Sequence, residues 1–430
     1  MRRLRPGGPR ATVQAMPAAR EGLRRGVRAC ALALCTLVLA TPAHAASTGG
    51  AAPSATPTAA TGQQGTTPFT GQAMWIWQLA KTEGGDLSRI IARTHQYGLS
   101  AVYVKSGDGT TFWPQFSPLL VATFHAAGLR VCAWQFVYGR SPVGEANLGA
   151  AAAASGADCL IVDAESAYEG RYTAARRYVR ALRSRIGAAF PVALTSFPYV
   201  DYHPAFPYTV FLGGAGAQVD MPQVYWKDIG DTVDMALTRT WMLNRVYARP
   251  IHAIGQLYQA PTASDVLRFR TLAAAYGAIG TSWWDWQEAP GRLWSVLAQP
   301  LTAPATKVAD PGWPVLGRRS KGDLVVRAQQ LLRAGGRLVR ANGIYGAQTA
   351  AAVRRLQTAA GIPVTGVVDA ATWQTLLGLP VTPAPVATPV APSPPAAPTG
   401  GSLAKVSRAS GGVPASADLP AVRDEIAGAR

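Results

Sequence analysis

Residues 158–165 read Asp158-Cys159-Leu160-Ile161-Val162-Asp163-Ala164-Glu165. A short apolar run bounded by polar residues is the pattern of a strand buried on both faces. It ends in two acids spaced two apart, so strand alternation puts both carboxylates on one face at its C-terminal end. Similar runs begin near Met74, Ala101, Arg130, Asp158, Pro191, Val219, Ile251 and Ile279, recurring about every 29 residues. Helix-like segments follow them, among them 86–97, 172–186, 232–248 and 264–276. Gly98, Gly128, Gly156, Gly187 and Gly277 are placed to cap such helices at their C-termini. Eight strand–helix units over roughly 230 residues predict an α/β fold, a (β/α)8 TIM barrel spanning 72–301. A doubly wound open sheet is the alternative, but no Gly-rich dinucleotide fingerprint follows the first strand.

Outward from the barrel the composition changes. Residues 46–71 are rich in Ala, Thr, Gly, Ser and Pro and read as a disordered linker, and 302–314 as a shorter one. Residues 315–379 form a small second domain, and 380–430 a Pro/Ala-rich tail with one weak helix near its end. At the N-terminus eight arginines precede the apolar run 29–40, and Ala43-His44-Ala45 fits a small-x-small cleavage site. Residues 1–45 are therefore expected to be a signal peptide, with an uncleaved anchor as the other reading. The run is short for a span of ~20 residues, so no stable membrane insertion is expected after cleavage. This makes the chain secreted, where a disulfide between Cys132 and Cys159 is allowed. The geometry across parallel strands is demanding, however, and two buried thiols are expected instead.

Of the net charge of +18, +11 remains once the signal region is set aside, much of it between Arg318 and Arg355. A basic module attracts polyanions. For an exported chain these are wall carboxylates and phosphates, not nucleic acid. With five His and four Cys in the sequence, no metal site is argued, and no cofactor is expected.

Functional groups of such a barrel collect at the C-terminal ends of its strands. There Asp163 and Glu165 are the candidate acids, because one carboxylate beside another has its pKa raised, as a general acid requires. On the sixth strand Gln223 and Tyr225 share a face, followed by Trp226. The first strand offers Trp77 and the eighth Trp284 and Trp286 as platforms for sugar rings, although about half of these tryptophans are expected to pack the barrel against its helices. Gln135 and Lys105 also lie late in their strands. Lys105 either pairs with an acid or is an ordinary surface lysine.

Asp158-x-x-x-x-Asp163-x-Glu165 resembles the fourth-strand signature of family 18 glycoside hydrolases, with Ile161 in place of one aspartate. Met221 to Trp226 is similar to that family's sixth-strand segment, and Trp284 to its eighth-strand tryptophan. Val102 to Gly109 looks more like the family 25 lysozymes, whose first-strand aspartate is here replaced by the region of Trp75 and Trp77. The resemblance implies a glycosidase in which Glu165 protonates the glycosidic oxygen. Asp163 would orient a substrate N-acetyl group, hydrogen-bonded by Tyr225, that attacks the anomeric carbon. This is the substrate-assisted exception to the scheme of two separate carboxylates.

The later segment carries Gly322-x-x-Val325-x-x-x-Gln329-x-x-Leu332, then Asn342-Gly343-x-Tyr345-Gly346-x-x-Thr349, then Ala352-Val353-x-x-Leu356-Gln357 and Thr372-Trp373. It closely resembles the small all-α, three-helix peptidoglycan-binding domain of wall hydrolases, with Asn342 where that family usually has Asp. The apolar positions suit three helix faces meeting in a core. Binding is then expected on the surface around Tyr345, Gln357 and the nearby arginines. The resemblances together imply a secreted, wall-associated glycan hydrolase, lysozyme-like or N-acetylhexosaminidase-like, whose partner is peptidoglycan or another cell-wall glycan. A wall-binding protein with an inactive barrel is the alternative.

Overall fold

The computed structural model describes residues 67–301 and 307–381. The expected signal peptide, most of the first linker and nearly all of the tail lie outside the described residues. In chain order the first region holds β1 (Gly71–Ile76), α1 (Leu87–Gln96), β2 (Ala101–Asp108), β3 (Thr111–Phe112), α2 (Pro118–Ala126), β4 (Arg130–Val137) and α3 (Pro142–Ala154). β5 (Cys159–Ala164), α4 (Tyr172–Ile186), β6 (Val192–Ser196), α5 (Tyr208–Phe211), β7 (Val219–Pro222), α6 (Trp226–Ile229) and α7 (Val233–Asn244) follow. The region ends with β8 (His252–Gln256), α8 (Ala263–Ala275), β9 (Gly280–Trp284) and α9 (Gly291–Leu297). Helix starts follow local chemistry: Asp86 accepts from two backbone N–H groups of α1, and Thr262 and Asp265 form a reciprocal capping box on α8. The five glycines expected at helix ends all take positive φ.

The strands neighbour one another in the order β7-β6-β5-β4-β2-β1-β9-β8, all parallel, with β3 a short antiparallel partner of β2. Isolated bridges Asp220–Ile251 and Gln223–Ile254 join β7 to β8 and close the ring. This is the eight-stranded barrel that the recurring runs predict, with β5, β7 and β9 its fourth, sixth and eighth members. Alternate residues of each strand fill the lumen, including Trp75, Tyr103, Trp134, Ile161 and Met221, while the others pack under the helices. Phe69, ahead of the expected start of the domain, joins the lumen cluster and its carbonyl meets His252 Nδ1 at 2.7 Å.

One expectation is corrected. Cys132 and Cys159 stand directly opposite in the β4–β5 register, 4.6 Å apart at Cα, and form a disulfide rather than two thiols. The alternation that turns both toward the lumen also brings them within bridging distance.

The second region comprises α10 (Asp323–Ala334), α11 (Ala347–Ala360) and α12 (Ala370–Leu376), around Val325, Leu332, Val353 and Trp373. The Gln329 amide bonds to the Asn342 and Gly343 backbone and to Thr349, and Gln357 likewise ties Gly366, Val367 and Thr372. Tyr345 is buried, its hydroxyl donating to the Gly366 carbonyl at 2.8 Å. Tyr345 and Gln357 are therefore internal struts, not the binding surface expected of them, because both are buried and spend their polar groups on backbone atoms of the turns.

This region does not hang free. The β6–β7 connection carries only the four-residue α5, and α10 packs against it and against the turn at Arg245–Tyr247. Asp323, at the first turn of α10, is fully buried there. It accepts from Tyr172 Oη (2.8 Å), Thr209 Oγ1 (2.7 Å), Thr209 N (2.9 Å) and Tyr247 Oη (2.9 Å). Arg327 donates to the Val246 carbonyl, and Arg245 binds Asp310 and lies 4.0 Å over the Trp313 ring. The described part of the second linker, 307–314, is thus fastened to the barrel flank.

Candidate active site

At the C-terminal end of β5, Asp163 faces the lumen and is 5% exposed, with half-buried Glu165 just beyond the strand. The Trp134 indole donates to Asp163 Oδ2 at 2.9 Å. The Gln223 amide, arriving from the end of β7, donates to Asp163 Oδ1 at 3.3 Å and to Glu165 Oε1 at 3.1 Å. One amide thus clamps both acids, and it can do so because β5 and β7 reach the same height on the barrel.

Lys105 is no surface lysine. It is 1% exposed, its Nζ 4.2 Å from the Trp134 ring centroid and 3.3 Å from Asp108. A cation–π contact and an ion pair hold a charge that burial alone would neutralise. Burial draws the Lys105 amine below its usual range, opposed by the charges of Asp108, Asp163 and Glu165. Burial drives the Asp163 carboxyl well above the carboxylate range, and the charge of Glu165 adds to this. Lys105 and the indole hydrogen bond pull the other way. Glu165 is also raised by burial, with Gln223 and Asp163 opposing. Two adjacent enclosed carboxyls do not ionise together cheaply, so the pair holds a proton to higher pH than a lone exposed carboxyl would. A site holding a transferable proton beside a second carboxyl is equipped for general acid chemistry.

Tyr225 stands beside Tyr258, ring centroids 5.6 Å apart, and its phenol is raised first by burial, then by Tyr258 and the two acids. Trp284 packs edge-on against Trp134 (4.9 Å) and Trp75 (5.7 Å), and Trp77 borders the same lumen cluster. The structure therefore gathers Asp163, Glu165, Gln223, Tyr225, Lys105, Trp284 and Trp77 at one end of the barrel. Three expected residues lie elsewhere. Trp226 turns outward onto Phe269, and Trp286 packs on Trp294 with its indole donating to Glu83. Gln135 sits under α3, donating to the carbonyls of Gly109 and Glu145. All three belong to the layer between strands and helices: Gln135 and Trp226 are one residue out of phase with Trp134 and Tyr225, and Trp286 lies past the end of β9, where strand alternation no longer holds.

Several residues of the site were not singled out from sequence. Trp134 is the lumen-facing neighbour of Gln135, and counting alternation from Cys132 finds it. Gln115 donates to the carbonyls of Trp77 and Lys105 and accepts from Leu79 N, lacing β1 to β2, and no local signal marks it. Asp285 follows Trp284 across a cis peptide, and burial pushes its carboxyl up to about 7.

Comparison with known proteins bears on the other region. Residues 321–376 match the family described as "Putative peptidoglycan binding domain". Residues 321–376 are a peptidoglycan-binding domain. The SleB N-terminal domain is 32% identical to the chain, covering 15% of it and 90% of that domain, with a TM-score of 0.15. A chitinase from Chromobacterium violaceum is 13% identical, covering 54% of this chain and all (100%) of its own, TM-score 0.40. The spore cortex-lytic enzyme SleL of Bacillus cereus is 14% identical over 56% of this chain and 76% of its own, TM-score 0.40. A search of curated proteins gives no match. The peptidoglycan-binding domain is the part docked through Asp323, so the chain carries a wall-binding unit fixed on the flank of a barrel with paired acids at its mouth. Among the described residues no helix is long and apolar enough to cross a membrane.

Proposed function

We propose that the chain is an exported cell-wall glycan hydrolase, with a glycosidase barrel over 72–301 and a peptidoglycan-binding domain over 315–379. The observation that carries this is the clamp of Asp163 and Glu165 by Gln223 at the barrel mouth, ringed by Trp77, Trp284 and Tyr225. Glu165, less buried than Asp163 and raised in pKa, protonates the glycosidic oxygen. Asp163, hydrogen-bonded to Trp134 and joined to Glu165 through the Gln223 amide, orients a substrate N-acetyl group for attack on the anomeric carbon. Tyr225 hydrogen-bonds that group. The tryptophans stack on the apolar faces of the sugar rings. Substrate assistance explains why both acids can come from one strand.

A second reading, a wall-binding protein whose barrel does no chemistry, is favoured by one observation. Ile161, on the lumen face below Asp163, stands where the family 18 signature has an aspartate. The two readings part in a zymogram against purified peptidoglycan, with released reducing ends counted for wild type and Glu165→Gln. Clearing by wild type and none by the variant is expected. Equal turnover in both would refute the assignment of Glu165, and no clearing by either would favour the binding protein.

A further inference from the structure

Where α10 docks on the barrel it leaves a groove of about 470 Å3 beside it. One wall is α4, contributing Arg176, Val179 and Arg180. The opposite wall is Val210 of α5 and the loop 213–215, and Gln330 of α10 closes one end. Ligand sites gather at seams between domains, where two rigid surfaces meet without filling the space. This seam is rigid. Arg183 donates to the carbonyls of Ala215 and Gly216, and Arg249 to those of Leu212 and Gly213, so the loop wall is pinned from below. Asp323 fixes the α10 wall through its four hydrogen bonds.

The chemistry of the walls is specific. Arg176 and Arg180 are exposed, and neither meets a carboxylate among the described residues. Their contacts are the Thr173 hydroxyl at 3.3 Å and the Arg176 carbonyl at 3.4 Å. Two guanidinium groups one helical turn apart are spaced to take two carboxylates, or one in a forked pair of bonds. Val179, Val210 and Ala215 between them supply an apolar lining suited to small aliphatic side chains. A groove that is cationic on one side and lined with methyl groups fits a short acidic peptide better than a uniformly charged phosphate polymer.

We propose that this seam groove binds the carboxylate-bearing stem peptide of peptidoglycan. The inference rests on the reading that the barrel acts on the same polymer, and it adds a site built jointly by the barrel and the binding domain. Glycan carrying peptide would then be held at the flank while its sugars reach the mouth. A peptide bound there and a glycan bound at the mouth belong to one ligand, so each raises the local concentration of the other.

The test uses the full chain and a synthetic four-residue stem peptide with free carboxylates, titrated by calorimetry. An amidated copy of the peptide and a purified teichoic acid serve as alternatives. Binding of the free peptide is expected, weakened at least about tenfold by the double variant Arg176→Gln/Arg180→Gln and by amidation, the scale of losing two charge-assisted contacts. Both positions are exposed on α4, and unchanged circular dichroism of the variant would confirm its fold. Hydrolysis of glycan stripped of peptide should be equal in wild type and variant. The proposal is overturned if wild type does not bind the peptide, if the variant binds equally, or if teichoic acid displaces the peptide and is itself lost in the variant. Absence of glycan cleavage by wild type would instead strike the proposed hydrolase activity, and leaves the peptide titration readable.

Discussion

Asp323→Ala tests whether the peptidoglycan-binding domain is held to the barrel by one buried carboxyl. Burial pushes Asp323 up to about 6, against the pull of the hydrogen bonds from Thr209, Tyr172 and Tyr247. A carboxyl in the unfolded chain titrates near ~3.9. The folded state therefore holds this proton more tightly, so the group contributes most below pH ~4 and loses that contribution as pH rises through about 6. A shift of roughly two units corresponds to about 3 kcal/mol. In Asp323→Ala the Thr209 N–H and the Tyr247 hydroxyl, both buried, lose their acceptor at about 2 kcal/mol each, giving a deficit of about 4 kcal/mol at pH 4. Since alanine does not titrate, and the unfolded carboxyl is already half ionised at pH 4, the deficit should narrow by roughly 2 kcal/mol by pH 7. Urea unfolding followed by tryptophan fluorescence at the two pH values measures it. A deficit that is constant, or larger at pH 7, would refute a raised carboxyl at this seam.

The remaining predictions concern the barrel. Lys105→Met keeps the length of the side chain and removes the cation that lowers the pKa of both Asp163 and Glu165. The acidic limb of the pH–rate profile for glycan cleavage should move to higher pH, and a lower rate with an unmoved profile would make Lys105 a packing residue only. Replacing both Cys132 and Cys159 by alanine opens a bridge between residues 27 apart. A loss of roughly 3–4 kcal/mol in denaturant unfolding is expected from the released chain entropy. Unfolding of wild type that is insensitive to strong reductant, together with no loss in the variant, would mean the bridge adds nothing to stability.

The barrel itself was legible in the sequence because its cause is local. Buried parallel strands need continuous apolar runs, helices between them need capping glycines, and each signal falls within about ten residues of the element it specifies. Asp163 and Glu165 were readable for the same reason, since two acids two apart on a strand share a face wherever that strand ends up. The helical core of the peptidoglycan-binding domain was equally plain from its spacing.

What the sequence left undecided depends on which residues meet across long separations. Gln135 stands one position past Trp134, which faces the lumen, and a single position reverses the side of the sheet. Cys132 and Cys159 could have stayed apart, and only the register of β4 on β5 sets them opposite each other. Lys105 could have been a surface residue until Trp134 and Asp108 closed around it. Above all, nothing near Asp323 in the sequence announces Tyr172, Thr209 and Tyr247, which lie 151, 114 and 76 residues away. Local pattern determined which elements form and where the two acids stand. Packing alone decided that the wall-binding domain is bolted to the barrel, because a buried carboxyl acquires its partners only when distant segments have already been brought together.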